Sequence, residues 1–238
     1  MLHPKISVIT VCYNAVKELE KTILSVINQT YNNLEYIIVD GGSTDGTIEI
    51  IKKYEYKITF WISEPDNGIY DAMNKGIRHA NGEWINFMNA GDIFNDNQVL
   101  EKIFANKYDE SISFLYSDNW YQTNKKKIYA KHNHKNLSIL HQSSIYKRSL
   151  HDIHGIYIVT PKIIVSDLLF FASIPQDEFY KVDIPISCNT IGGVSSAKWC
   201  IEQALCTKVV FRKMSFGNML LHYISANLKR YWSLLKKN

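Results

Sequence analysis

The first 92 residues hold four short apolar runs, each closed by polar residues, and helical spacing separates each run from the next. Ile6-Ser7-Val8-Ile9-Thr10-Val11-Cys12-Tyr13 is rich in β-branched residues and stops at Asn14. Leu34 to Asp40 reads Leu-Glu-Tyr-Ile-Ile-Val-Asp, Ile58 to Ile62 precedes Glu64-Pro65-Asp66-Asn67-Gly68, and Trp84-Ile85-Asn86-Phe87-Met88 runs into Asn89-Ala90-Gly91-Asp92. Between them Val16, Leu19, Ile23, Val26 and Ile27, then Ile48, Ile51 and Tyr54, then Ile69, Ala72, Met73, Gly76, Ile77 and Ala80 fall on one helical face. Thr44 or Asp45 is placed to cap the second of these helices. A βαβαβαβ run with short connections predicts an α/β fold, a mostly parallel sheet flanked by helices with right-handed crossovers. Ligands bind beyond the carboxyl ends of such strands. Tyr13-Asn14, Asp40, Glu64 with Asp66, and Asn89 with Asp92 are therefore expected on one edge, around one cleft.

The turns narrow the chemistry. A dinucleotide fold would carry Gly-x-Gly-x-x-Gly after the first strand, but the turn here is Tyr13-Asn14-Ala15-Val16, and no P-loop is present either. A bound nucleotide would be held by the strand ends, with a metal neutralising its phosphates. Asp92 offers the hard oxygen such a metal takes; the alternative is an Asx turn that only closes the strand.

After Asp92 the pattern loosens. Val99, Ile103 and Phe104 suggest a helix, Ile112 to Tyr116 a strand, and Trp120 to Tyr129 a hairpin turning at Asn124-Lys125-Lys126-Lys127. Ser143 to Tyr146 reads as another strand and Lys181 to Cys188 as an edge strand. Gly192 to Ser196 reads as a flexible loop, and helical residues run from Ala197 to about Lys208. Phe216, Leu220, Ile224 and Leu228 recur every four residues along a last helix.

With 46% hydrophobic residues the 238-residue chain can fill one full core. Its organisation is expected as one domain over residues 1–208, in two halves (1–92 and 93–208), followed by a basic amphipathic helix over 209–238. The net charge of +4 comes from that end: Gln203 to Asn238 holds Lys208, Arg212, Lys213, Lys229, Arg230, Lys236 and Lys237 and no acid. The basic excess is thus local, which argues against nucleic acid as a partner. The tail is suited to an anionic membrane surface, or to packing on the domain or on a second copy as a homodimer. Cys12, Cys188, Cys200 and Cys206 show no metal-ligand spacing and read as reduced, buried thiols of a cytoplasmic protein. No signal peptide and no run of about 18 apolar residues is seen.

The chain resembles a family 2 glycosyltransferase of GT-A fold, within a group of bacterial transferases that build O-antigen and other surface polysaccharides. The resemblance rests on Ser7 to Asn14, Ile37-Ile38-Val39-Asp40-Gly41-Gly42-Ser43-Thr44-Asp45-Gly46-Thr47, Asp66-Asn67-Gly68-Ile69-Tyr70-Asp71-Ala72-Met73-Asn74-Lys75-Gly76 and Asn89-Ala90-Gly91-Asp92, in that order. Weaker echoes are His141-Gln142-Ser143, Ser166-Asp167 and Gly192-Gly193-Val194-Ser195.

The resemblance implies an inverting, metal-dependent hexosyl- or N-acetylhexosaminyltransferase, with residues 1–92 as its nucleotide-binding half and 93–208 as its acceptor-binding half. It would take a nucleotide-sugar donor, a UDP-sugar in the first instance with GDP and dTDP as alternatives, and extend a glycan or a glycan linked to a lipid diphosphate. Val11 and Tyr13 would border the base, Asp40 the base or ribose, and Asp66 and Asn74 the donor pocket. Asn89 and Asp92 match the metal motif, with Asp92 as ligand to Mg²⁺ or Mn²⁺. Asp167 matches the catalytic base, with a helix N-cap as the alternative role and Asp118 as the second candidate base. His141 would reach the diphosphate or acceptor, or serve as a structural histidine. The chain departs from the family where Gly41 replaces a second acid, where Asn-Ala-Gly-Asp replaces Asp-x-Asp-Asp, and where Met73 replaces an arginine. Those departures leave a non-catalytic subunit that binds sugar nucleotide or a partner as the second reading.

Overall fold

The computed structural model describes residues 3–123, 126–190 and 198–235. In chain order the elements are β1 (Ile6–Cys12), α1 (Leu19–Ile27), β2 (Leu34–Asp40), α2 (Thr47–Lys53), β3 (Phe60–Ser63), α3 (Ile69–His79) and β4 (Trp84–Phe87). Then come β5 (Ile93–Phe94), α4 (Val99–Phe104), β6 (Phe114–Tyr116), β7 (Asn119–Gln122), β8 (Lys127–Ala130), β9 (Ser144–Lys147) and α5 (Leu150–His154). The last are α6 (Ser166–Ser173), β10 (Phe179–Lys181), β11 (Ser187–Thr190), α7 (Lys198–Val210) and α8 (Phe216–Leu235).

The main sheet has the order β10-β6-β9-β4-β1-β2-β3. The pairs β1/β2, β1/β4, β2/β3 and β10/β6 are parallel, and only β9 runs against both neighbours. The chain moves outward from β1 through β2 to β3 and then returns to the other side of β1 as β4, so the strand order reverses beside β1. A crevice opens at such a reversal. A second sheet, β5-β11-β7-β8, stands beyond it. Strand side chains alternate between two cores, as a period of two requires. Ile9, Val11, Ile37, Val39 and Phe87 pack with Met73 and Ile77 of α3 and Phe171 of α6. Val8, Ile38 and Ile145 pack with Leu19, Ile23, Ile51 and Val99 on the opposite face.

The sequence-predicted α/β order is found, with local corrections. Helix α1 starts at Leu19 rather than near Val16, because the backbone N–H groups of Ala15 and Val16 are held by Thr47 Oγ1 (2.8 Å) and Asp45 Oδ2 (3.1 Å). Gly46, not Thr44 or Asp45, is the N-cap of α2, although Asp45 Oδ1 accepts the Thr47 N–H at 3.0 Å. The expected strand over Lys181–Cys188 is divided between the sheets as β10 and β11. Pro185, between them, has no N–H for a ladder. Helix α5 carried no sequence signal strong enough to predict. Cys12, Cys188 and Cys200 are buried, but Cys206 is exposed. The expected loop over Gly192–Ser196 and the Asn124-Lys125 part of the hairpin turn lie outside the described residues.

Candidate donor and catalytic site

The carboxyl ends of β1, β2 and β3 are bound into one rim by side chains that the strand ends themselves supply. Asn14 adopts φ +47°, its N–H donates to Ser43 Oγ (2.7 Å), and its Oδ1 accepts the Thr44 N–H (3.0 Å). Asp40 is fully buried and accepts from Gly42 N (3.1 Å), Ser43 N (2.9 Å), Ser43 Oγ (2.5 Å) and Ser63 Oγ (2.6 Å). Its carboxylate therefore shapes the rim from below. Val11 is also buried, whereas Tyr13 stands 65% exposed at the top, an aromatic face open to solvent. Asp66 Oδ1 accepts the Gly68 N–H at 2.8 Å, and Oδ2 lies where a Gly41 side chain would start: a Cβ there would be 2.5 Å from it and 3.3 Å from the Tyr13 ring. The missing second acid after β2 thus leaves room that the Asp66 carboxylate occupies.

Across the crevice the acidic turn is strapped to β1 and α1. Met88 N–H donates to Ile9 O (2.9 Å) and Ala90 N–H to Val11 O (3.3 Å). Thr22 Oγ1 donates to Asp92 O (2.7 Å) and accepts the Gly91 N–H (3.0 Å). Gly91 sits at φ +101°, a conformation that a side chain would strain. Asp92 is 7% exposed; Oδ2 accepts from Gln142 Nε2 (2.7 Å) and Oδ1 from Thr190 N (3.3 Å). Burial pushes its carboxyl above the ordinary range, and the neighbouring Asn189, Gln142 and His141 offset only part of that.

The residues around Asp92 fit a hard divalent cation. Among the described residues Asn89 Oδ1 and Gln142 Oε1 are buried oxygens without a hydrogen-bond partner, and both belong to residues of this cluster. Oxygen donors of this kind suit Mg²⁺ or Mn²⁺. Among the described residues no group of three His, Cys, Asp or Glu could enclose a metal. One carboxylate and neutral amide oxygens would therefore need phosphate oxygens and water to complete the shell.

His141 joins this turn to Asp167. Its Nε2 lies 2.9 Å from Asn89 Nδ2 and its Nδ1 lies 3.0 Å from Asp167 Oδ2. Because the Asn89 amide N–H donates, Nε2 accepts and the Nδ1–H donates to the carboxylate. Asp167 Oδ1 accepts from Tyr70 Oη (2.7 Å) and Leu168 N (2.9 Å). Burial raises the Asp167 carboxyl, but the hydrogen bonds from His141, the Tyr70 hydroxyl and the Leu168 N–H outweigh it and leave it below the ordinary carboxylate range. Asp167 is the second residue of α6 and Val165 is the N-cap, so the carboxylate does not take the N-cap position.

The other sequence-predicted residues lie apart. Asn74 is 1% exposed; its Nδ2 donates to Tyr157 O (2.8 Å) and its Oδ1 accepts the Tyr157 N–H (3.0 Å), which fixes the irregular segment between α5 and α6. Asp118 is held by Lys181 (2.6 Å), His132 N (2.7 Å) and Tyr129 Oη (3.1 Å). The structure thus gathers Asn89, Asp92, His141 and Asp167 on one side of the crevice and Tyr13 and Asp66 on the other. Thr22, Tyr70, Asn189 and Thr190 belong to the site as well. Periodicity gave no sign of them, since each reads as an ordinary member of its helix or strand; for Tyr70 the signal available was its place inside the Asp66–Gly76 stretch.

The family described as "Glycosyl transferase family 2" matches residues 7–166. An uncharacterized glycosyltransferase of Mycobacterium tuberculosis is 41% identical over 98 residues, 41% of this chain and 37% of that protein. The chain thus spans well under half of the length of that relative. A "PGL/p-HBAD biosynthesis glycosyltransferase" of Mycobacterium bovis is 26% identical over 208 residues, covering 82% of this chain and 81% of its own. Among solved structures, Staphylococcus aureus TarS 1–349 in complex with UDP-GlcNAc superimposes with a TM-score of 0.70 at 19% identity, over 87% of this chain and 66% of TarS. The mannosyltransferase PcManGT of Pyrobaculum calidifontis, in complex with GDP-Man and Mn²⁺, gives 0.66 at 17% identity, over 86% of this chain and 62% of its own. These two likenesses concern the fold.

Proposed function

The chain belongs to glycosyl transferase family 2, and from that premise we propose that it is an inverting, metal-dependent transferase that moves a hexosyl or N-acetylhexosaminyl group from a nucleotide-sugar to a growing bacterial surface glycan. The observation that carries this reading is the unbroken side-chain path Asn89–His141–Asp167, which puts a carboxylate base within one imidazole of the acidic turn. Tyr13 offers its exposed ring to the base, Asp66 an open carboxylate oxygen at the rim, and Val11 and Asp40 support them from beneath. Asn74 serves the pocket from behind, by holding Tyr157. Asp92 would hold Mg²⁺ or Mn²⁺ together with the diphosphate, and that ion would stabilise the charge of the leaving nucleotide.

Asp167 takes the proton of the acceptor hydroxyl as the oxygen bonds to the anomeric carbon. The bond from that carbon to the diphosphate breaks on the opposite face, so the configuration inverts. His141 donates to Asp167 Oδ2 and keeps the carboxylate turned toward the crevice. A base of this kind contributes about 10²–10⁴-fold. The names of relatives lend support for a surface glycan: one from Bacillus subtilis, provisionally named for teichuronic acid biosynthesis, is 35% identical over 117 residues. UDP is the first nucleotide to test, because TarS carries it.

The acceptor is read as a glycan on a lipid diphosphate, met by a cytoplasmic enzyme at the inner face of the membrane. Support comes from the end of the chain. No helix among the described residues is long and apolar enough to cross a membrane. Yet Val210, Phe216, Leu220, Leu221 and Ile224 are exposed along α7 and α8, where no acid follows Gln203. An apolar stripe flanked by cations suits an anionic bilayer surface.

Calorimetric titration with UDP, GDP and dTDP, each with and without Mn²⁺, tests the reading. One nucleotide is expected to bind in a metal-dependent way, Asp92→Ala to lose the metal dependence, and Asp167→Asn to bind nucleotide but lose transfer by 10²-fold or more. No binding by any of the three would favour the non-catalytic subunit instead.

A further inference from the structure

Asp167 is gripped from two sides, and the two grips differ. Oδ1 takes the Tyr70 hydroxyl at 2.7 Å and the Leu168 N–H at 2.9 Å. Among the described residues Oδ2 takes only His141 Nδ1, at 3.0 Å. A carboxylate oxygen has two lone pairs, so Oδ1 is filled and Oδ2 keeps one position free. The Asp167 side chain is about one-fifth exposed, which leaves that position within reach of a substrate hydroxyl. Tyr70 is 8% exposed, and both burial and the facing carboxylate raise its phenol well above the ordinary value, so it stays protonated and remains a donor. Ile164 O, 2.9 Å away, is a second acceptor for the same single proton, and the shorter contact and the charge of the carboxylate favour Asp167.

We infer that Tyr70 is the positioning residue of the base: it locks Oδ1 and thereby makes Oδ2 the oxygen that receives the acceptor proton. The inference rests on the reading of Asp167 as the base. It adds a link between the two halves of the molecule, because Tyr70 lies in the first turn of α3, directly after the Asp66–Gly68 rim, while Asp167 opens α6. The groups facing Asp167 are Tyr70 from α3, His141 from the turn before β9, and the more distant phenols of Tyr146 on β9 and Tyr157 before α6.

Tyr70→Phe keeps the ring, which packs 5.5 Å from that of Tyr157, and removes only the hydroxyl. In the full chain carrying ¹³C-labelled aspartate, the Asp167 carboxyl is expected to titrate at higher pH in Tyr70→Phe, because a donor to the charged form is gone. With the cognate nucleotide-sugar and an acceptor, kcat is expected to fall about tenfold at unchanged KM for the nucleotide-sugar, a fraction of what the base contributes. An unmoved Asp167 titration overturns the role of Tyr70, as does a moved titration with unchanged kcat. Turnover retained by Asp167→Asn overturns Asp167 as base instead, so the two failures read differently. Nucleotide binding, measured alongside, checks that the variant is folded.

Discussion

Thr22 shows how much of the site rests on residues outside any motif. Its hydroxyl is fully buried and is the partner of both Gly91 N–H and Asp92 C=O. Thr22→Val keeps the shape and orphans both groups, so a loss of about 1–3 kcal/mol is expected in denaturant unfolding. Metal-dependent nucleotide binding should weaken with it, because the turn that aims Asp92 loses its strap. Unchanged unfolding would mean that water replaces the hydroxyl. Gly41 gives a second check of the same kind. Gly41→Asp would place a second carboxylate against Asp66 Oδ2, and nucleotide binding should fall at least tenfold, since like charges this close cannot both stay ionised. The rim and acidic-turn residues were legible in the sequence because they close strands. Thr22 and Tyr70 were not, because a hydrogen-bonding residue on a packed helix face leaves the apolar spacing intact.

Strand β2 carries a buried charge at its foot, away from the crevice. Glu35 is 2% exposed and holds Lys5 Nζ (2.5 Å), Ser7 Oγ (2.5 Å), Asn81 N (2.5 Å) and Gly82 N (3.0 Å), tying β1, β2 and the approach to β4 together. Burial raises its carboxyl, but Lys5, Ser7 and the Asn81 N–H outweigh that and hold it below the ordinary range. A carboxyl with a lowered folded-state pKa gives stability above its unfolded value, near 4.3 for a glutamate, and loses it as pH falls through the folded value. Glu35→Ala is therefore expected to cost about 3 kcal/mol at pH 7, from the orphaned donors. The difference from the parent should stay level down to about pH 5 and shrink below about pH 4, as chemical unfolding against pH will show. Helix α7 has its own tie: Gln203 Oε1 accepts the Ile164 N–H (3.0 Å) and its Nε2 donates to Lys162 O, so α7 braces the segment that leads into α6.

For the molecule as a whole, α8 is the part whose loss should change behaviour without unfolding the rest. Its described side chains, Phe216 to Ile224, are mostly exposed, so a chain ending at Ser215 should melt within about 3 °C of the full chain, a change of roughly 1 kcal/mol or less for this size. The same truncation should abolish flotation with phosphatidylglycerol vesicles; equal flotation would place lipid binding elsewhere. The sequence alone determined the parallel α/β frame and the gathering of strand ends into one crevice, because strand and helix periods and turn residues act locally and crossovers have one hand. The tertiary structure alone decided what each polar side chain does there. Asn74 turned to the Tyr157 backbone, Asp40 to its own loop, and Asp118 to Lys181, while His141 came between Asn89 and Asp167. Hydrogen-bond partners far apart in sequence meet only once the cores on both sheet faces are packed, and a buried polar group takes whichever partner that packing brings within reach.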